Sequence, residues 1–186
     1  MTNPLDPNKV YGLISEVALR EELELRSVGT GIFSMQEEAF VYIVGKEIAK
    51  KAEVLFPTGI RWYTEKQIEK SPKTTITDLV FEDNEGKPVL AMEFKTRRIE
   101  NDCLGDIKKL RNISVDCQKI FCALVEENSN KSITWFVKEK DVIPLDKLNK
   151  GDFDYFSTMD YHTDSGKSFR QTCCIVAAWE VMREES

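Results

Sequence analysis

The sequence has few of the residues on which several classes of metal and disulfide site depend. Its 186 residues include one histidine, and its five cysteines form no Cys-x-x-Cys pair. Neither a zinc ribbon nor a disulfide framework is therefore indicated. Because imidazole and paired thiolates are scarce, any metal site must be built from carboxylates. Carboxylates favour a hard cation such as Mg²⁺, with Mn²⁺ as a substitute.

Long apolar runs and low-complexity segments are also lacking. The longest apolar run, 173–179, is much shorter than the roughly 18 residues that a membrane span needs. The segment 1–10 lacks the apolar core of a signal peptide. Only nine glycines and six prolines occur, and 41% of the residues are hydrophobic, so disordered and collagenous classes are excluded. We therefore expect a folded, soluble, cytoplasmic protein without a membrane partner.

Positive charge is in the minority. The chain has 26 Lys and Arg against 32 Asp and Glu, which gives a net charge of −6. This balance argues against a purely electrostatic nucleic-acid binder, which needs clustered basic residues to release phosphate counterions. It does not exclude an enzyme with an acidic pocket. The length predicts a single domain over 1–186.

Hydrophobic periodicity predicts the order of helices and strands. Apolar spacings of three and four predict helices over 8–26, 34–51 and 104–113. Alternating or β-branched residues predict strands over 61–65, 75–81, 88–97, 119–125 and 133–137. Turns are expected at 83–86 and 126–130, and 169–182 reads as a strand or a strand followed by a helix. This order predicts an α/β fold in which helices flank a central mixed sheet.

The stretch from Asp78 to Lys95 carries the most informative ionisable residues. Side chains alternate across a strand, so Glu93 and Lys95 should point to one face while Met92 and Phe94 point to the other. Asp78 stands on the neighbouring strand of the same hairpin, one or two rungs from Glu93 or Lys95. We therefore expect these three charged groups to converge.

Two carboxylates and a lysine on adjacent strands suit metal-assisted phosphodiester hydrolysis. The carboxylates would hold a divalent cation that polarises the phosphate and acidifies a bound water. The lysine would stabilise negative charge that develops in the transition state, or orient the attacking hydroxide. The alternative is a surface hairpin whose charged residues form a cross-strand salt bridge.

Glu37 in a helix, Asp78 in a strand and Glu93-Phe94-Lys95 in the next strand together resemble the PD-(D/E)XK, or restriction-endonuclease-like, nucleases. The resemblance covers roughly 34–125, about half of the chain. It implies an αβββαβ core, preceded by a helical appendage over 1–33 and followed by additional C-terminal strands within 126–186. It also implies a Mg²⁺-dependent endonuclease acting on DNA. Asp78 and Glu93 would be its metal ligands and Lys95 its catalytic lysine. The proline that normally precedes the motif's aspartate is replaced here by Thr77.

Glu37 has two interpretations. In such nucleases a glutamate early in the first helix often joins the site, with Glu38 as a second candidate here. However, Ser34-x-x-Glu37 also has the pattern of a capping box, in which Glu37 would accept a hydrogen bond from the backbone N–H of Ser34. The sequence leaves both open.

The densest basic cluster of the chain follows the motif. The segment from Asp106 to Leu110 resembles the D-x-x-K-L pattern that often follows E-x-K in this superfamily. A rim that tracks nucleic-acid phosphates would need such a cluster. A solvated helix face would explain the helical lysines equally well. The cluster comprises Arg97, Arg98, Lys108, Lys109 and Arg111.

Two other functions remain open from the sequence. A non-catalytic module could keep the same fold and bind a protein or nucleic-acid partner, as the net negative charge favours. An acidic DNA mimic or immunity-type inhibitor would spread its acidic residues along one face, which the basic cluster contradicts. A homodimer would make double-strand cleavage simple.

Overall fold

The computed structural model describes residues 5–56, 59–68, 76–97, 101–127, 142–144, 154–160 and 170–181. Its helices are α1 (Pro7–Ser27), a 3-10 turn (Ile32–Ser34), α2 (Glu37–Lys50), α3 (Ala52–Leu55) and α4 (Asn101–Arg111). Its strands are β1 (Ile60–Gln67), β2 (Ile76–Asp83), β3 (Pro88–Arg97), β4 (Gln118–Glu127), β5 (Val142–Pro144), β6 (Asp154–Asp160) and β7 (Arg170–Val181). Within these ranges, no helix combines the length and apolarity that crossing a bilayer requires.

Within the described ranges the strands form one mixed sheet. Its order is β1-β2-β3-β4-β7-β5, and β6 also pairs with β7. Strands β1, β2 and β3 are antiparallel neighbours, β4 runs parallel to β3, and β7 is antiparallel to β4. Helix α4 connects β3 to β4, as a parallel pair requires a crossover. The predicted α/β class, with a mixed sheet between helices, is confirmed.

Each face of the sheet has its own apolar core. Alternate residues of β2, β3, β4 and β7, such as Phe81 and Met92, pack against α1 and α2. The residues between them, such as Ala91 and Trp179, pack against Ile107 and Leu110 of α4. Successive residues of each strand therefore contact different helical layers. This explains why apolar residues alternate with a period of two in the sequence.

Helix α2 approaches the sheet closely at one glycine. A Cβ atom at Gly45 would lie 2.6 Å from Trp62 Cζ3 and 2.9 Å from Leu79 Cδ1. Any larger side chain there would push α2 away from β1 and β2. This glycine therefore sets the height of α2 above the sheet, and with it the position of Glu37 at the start of the helix.

A buried carboxylate ties α1 to the rest of the chain. Glu22 is 1% exposed, and its Oε1 accepts hydrogen bonds from the guanidinium of Arg26. Its Oε2 accepts from the backbone N–H of Ile32 at 2.8 Å and from the hydroxyl of Thr158 on β6. Both oxygens are satisfied, so this buried charge links the first helix to the turn before α2 and to a C-terminal strand.

The predicted helices and the first four predicted strands lie within a few residues of those observed. The chain over 170–181 is entirely strand, which resolves the open reading there. Glu126 and Glu127 belong to β4 and not to the turn predicted at 126–130, because they continue the pairing with Cys174 and Cys173. The strand predicted over 133–137 lies outside the described residues, as does the rest of that turn.

Candidate active site

The candidate site lies where β2 and β3 separate. Their pairing ends at Leu79 and Met92. Beyond that point β2 continues beside β1, and β3 continues beside β4 as far as Arg97. The separation leaves an opening between two central strands, flanked by the start of α2 and by α4.

Two carboxylates accept the backbone N–H groups that this separation leaves without a strand partner. The N–H of Phe94 donates to Asp78 Oδ2 at 2.8 Å. Two residues further along β3, the N–H of Thr96 donates to Glu37 Oε2 at 2.7 Å, and the Thr96 hydroxyl donates to the same oxygen at 3.1 Å. The backbone of β3 thus fixes the positions of Asp78 and Glu37.

The capping-box interpretation of Glu37 is wrong. Helix α2 begins at Glu37 with Gln36 as its N-cap, so Glu37 is one helical position in and not three. The Ser34 N–H instead donates to the carbonyl of Gly31, within the 3-10 turn. A 3-10 turn over Ile32–Ser34 precedes α2, so Glu37 is the first residue of the helix. Its side chain is therefore not used as a cap and can reach the site. Glu38, the second candidate, is exposed and lies beside Glu37 in the wall of the pocket described below.

Glu93 is the most deeply buried charged group of the site. Its side chain is 1% exposed, and Lys109 Nζ lies 2.7 Å from both of its carboxylate oxygens. Burial, followed by repulsion from Asp78, raises the pKa of Glu93 to about 8, although Lys109 acts in the opposite direction. Glu93 is therefore the carboxylate that most needs a compensating cation.

Lys95 is surrounded by acidic groups. Its Nζ lies 3.2 Å from Asp106 Oδ2 and 4.0 Å from Glu37 Oε1. Burial alone would lower the pKa of Lys95, but Asp106, Glu37 and Asp78 together raise it. The lysine is therefore held as an ammonium ion, which suits it to stabilise an anion and not to act as a base.

An open pocket adjoins the separated strands on the side of α2. It has a volume of about 600 Å³. Glu37 and Thr96 line it, and so connect it to the charged site. Burial raises the pKa of Glu37, while Lys95 and the hydrogen bonds from Thr96 oppose the rise. The other residues that line the pocket are Phe33, Ser34, Met35, Gln36 and Glu38.

The charged side chains of the site suit a hard divalent cation that takes only a few of its ligands from the protein. Four carboxylates, those of Glu37, Asp78, Glu93 and Asp106, surround the ammonium groups of Lys95 and Lys109. The excess is negative. Among the described residues, no three Asp, Glu, His or Cys side chains are grouped closely enough to hold one ion together. Mg²⁺ commonly takes one or two carboxylates and completes its shell with water and substrate oxygens, so Asp78 and Glu93 fit that pattern.

The predicted basic rim is placed only in part. Lys108 is exposed on α4, whereas Lys109, one residue later, turns into the site and pairs with Glu93. Arg111 ends the same helix and is partly exposed. The side chain of Arg97 and the whole of Arg98 lie outside the described residues.

Sequence reasoning assigned no site role to Asp106 or Thr96, and it placed Lys109 in the rim that tracks phosphates, whereas the structure pairs Lys109 with Glu93. The charges of α4 mirror those of β3: Asp106 pairs with Lys95, and Lys109 pairs with Glu93. A strand pair two residues apart and a helix pair three residues apart both present their side chains on one face. In the sequence, an acidic residue followed by a lysine occurs on both β3 and α4, at spacings that keep each pair on one face. This pattern could have indicated that the acid of each element pairs with the lysine of the other.

Comparison of the chain with models of protein families and with curated proteins finds no match. The geometry of the site therefore carries the argument about function.

Proposed function

We propose that this protein is a divalent-metal-dependent nuclease of the restriction-endonuclease-like fold, with DNA as its substrate. The observation that carries the proposal is the convergence of Asp78, Glu93 and Lys95 where β2 and β3 separate. Asp78 bonds to the backbone between the other two residues. The order α2, α3, β1, β2, β3, α4, β4 supports the same fold, because apart from the one-turn α3 it follows the αβββαβ arrangement.

Each residue has a role in this proposal. Asp78 and Glu93 would hold Mg²⁺ or Mn²⁺, which supplies Lewis-acid polarisation of the phosphate and a more acidic bound water. Lys95 remains protonated and stabilises the charge that develops on the phosphate oxygens. Asp106 orients the Lys95 ammonium at 3.2 Å, and Glu37 limits its movement from the other side.

Nuclease assays on the full chain test the proposal. Circular and linear DNA, single- and double-stranded, would be incubated with Mg²⁺ or Mn²⁺ and with chelator, with RNA as a parallel substrate. We expect metal-dependent cleavage of DNA that Asp78→Asn and Lys95→Ala abolish. Lys87→Ala is the matched control, because Lys87 is an exposed lysine at the opposite end of the same hairpin. Cleavage that survives Asp78→Asn and Lys95→Ala would contradict the proposal.

One observation favours a second candidate, a non-catalytic module of the same fold that binds a protein or nucleic acid. Lys109 lies 2.7 Å from both oxygens of Glu93, so this carboxylate already has a cation in contact with it when no metal is added. Under this alternative, DNA would bind but would not be cleaved in the presence of either Mg²⁺ or Mn²⁺. Asp78→Asn would leave that binding unchanged.

A further inference from the structure

Lys109 places a positive charge on Glu93, the carboxylate that is proposed to hold a metal ion. The ammonium lies 2.7 Å from Oε1 and 2.7 Å from Oε2; it donates a hydrogen bond to Oε2, while the buried Oε1 accepts none from the described residues. A metal ion held by Glu93 would need the same carboxylate as a ligand. Two cations on one carboxylate repel each other strongly.

The surroundings of Glu93 leave its charge few other partners. Its neighbours on that face of the sheet include Ala91 and Phe121, which belong to the apolar core under α4. Asp78 and Asp106 add negative charge. A buried anion in this setting needs a cation within direct contact, and Lys109 supplies one from the protein itself.

We propose that Lys109 is an internal counter-ion that competes with the divalent cation for Glu93. This inference rests on the proposed function, because it concerns the metal site of the proposed nuclease. Lys109 stabilises the metal-free protein and lowers its metal affinity. When the metal binds, the ammonium leaves Glu93 and becomes available to an anion such as a substrate phosphate.

Helix α4 has a second ion pair, which can stay in place when Lys109 leaves Glu93. Asp106, one helical turn before Lys109, holds Lys95 at 3.2 Å and does not depend on Glu93. Helix α4 is also anchored by Ile107 and Leu110 in the core. The Lys109 side chain, 20% exposed, can therefore swing towards solvent while the helix stays in place.

Isothermal titration of Mn²⁺ into the chelator-treated full chain tests the competition. Loss of Lys109 raises the pKa of Glu93 further, so protons compete with Mn²⁺ more strongly in the variant. Titrations at about pH 8.5 in two buffers of different ionisation enthalpy count the protons released, and affinities are compared after this competition is subtracted. We expect Lys109→Gln to bind Mn²⁺ about tenfold more tightly than wild type, because the competing charge is gone. Lys108→Gln makes the same charge change on the adjacent, exposed residue, and its affinity should stay within about twofold of wild type.

A charge-preserving variant guards against misfolding of Lys109→Gln. Lys109→Arg keeps a cation on Glu93 and offers two parallel hydrogen bonds, so Mn²⁺ should bind as weakly as in wild type or more weakly. Melting curves give a second readout. Saturating Mn²⁺ should raise the melting temperature of Lys109→Gln more than that of wild type. If Lys109 were merely structural, Lys109→Gln would melt lower than wild type by the same amount with and without Mn²⁺.

The outcomes separate this inference from the proposed function. If wild type binds Mn²⁺ through Asp78 and Lys109→Gln binds with the same affinity, the competition is refuted and the metal site stands. If Mn²⁺ binds to neither wild type nor Lys109→Gln, both proposals are wrong. Binding to Lys109→Gln alone would support the competition in its strongest form.

Discussion

Some of the contacts that position the functional side chains can be predicted from the sequence, and others cannot. Strand alternation correctly predicted that Glu93 and Lys95 share a face, because that parity is a local property of extended backbone. The position of Glu37 was less accessible, since the Ser34-x-x-Glu37 pattern is equally consistent with a cap. The Thr96 N–H that Glu37 accepts lies 59 residues away. No local pattern reports such a contact.

Lys95 offers a direct test of transition-state stabilisation. We expect Lys95→Ala to lower kcat by roughly 100-fold or more, because its ammonium acts on charge that develops only during the reaction. DNA affinity should change by less than about threefold. Single-turnover cleavage and fluorescence anisotropy measure the two quantities, with Lys87→Ala as control. Equal turnover in Lys95→Ala and wild type would remove this role from Lys95.

Glu93 gives the metal-free protein a defined pH dependence. Burial and Asp78 raise its pKa from 4.5 to about 8, so between these values the folded state retains a proton that the unfolded chain has lost. Stability in chelator should therefore fall as the pH rises from about 5 to about 8. We expect Glu93→Gln to reduce that fall by more than about 1 kcal/mol.

Urea unfolding at several pH values checks this slope. Glu37, whose pKa is also raised, contributes in the same direction in both proteins and cancels in the comparison. A wild-type profile that is parallel to that of Glu93→Gln would show that Glu93 ionises at an ordinary pKa.

At the scale of helices and strands, periodicity located the elements but not their mutual contacts. The ends of β3 were predicted as observed, because Pro88 starts it after a turn and its apolar alternation is regular. The docking of α4 was not predicted, because Lys108 and Lys109 look alike as neighbours in sequence. Only the packing of Ile107 and Leu110 decides which lysine faces inward.

The separation between α2 and the sheet can be tested at Gly45. Gly45→Ala should destabilise the protein by about 1–3 kcal/mol, because the new methyl group would overlap the Trp62 ring and Leu79. Gly12→Ala in α1 is the matched control, since a Cβ atom there meets nothing within 4 Å. Alanine is favoured in helices, so Gly12→Ala should be neutral or stabilising by up to about 1 kcal/mol. Denaturant unfolding of both variants measures the difference, and equal effects would contradict the close approach.

The whole molecule uses both ends of the described chain to complete one core. Val10 and Ile14 of α1 pack in the same cluster as Val176 and Ala178 of β7. The region 34–125, over which the nuclease resemblance was seen, has neither α1 nor β7. On its own it would leave β4 as an open edge strand, a template for aggregation. The resemblance therefore marks where the proposed chemistry lies and not the unit that folds.

Metal binding should appear as a change in the stability of the whole protein. Mg²⁺ at about ten times its dissociation constant should stabilise wild type by about 1.4 kcal/mol, because only the folded state presents the site. For a chain of this size the melting temperature should rise by roughly 3–6 °C. Asp78→Asn should show little of this rise. In chelator it should melt at the wild-type temperature or slightly above, because one repelling carboxylate is gone. The same Mg²⁺ shift in both proteins would exclude Asp78 as a ligand.

The hydrogen bond from the Tyr11 hydroxyl to the carbonyl of Val176 spans 165 positions and sets an order in time. At translation rates of about 5–20 residues per second, roughly 10–30 seconds separate the synthesis of its two partners. Asp78, Glu93 and Lys95 are all made within that interval, before β7 exists to cover β4. A nascent chain on the ribosome therefore carries the charged residues of the site without the finished scaffold. We expect the proposed hydrolytic activity to begin only after β7 has left the ribosome.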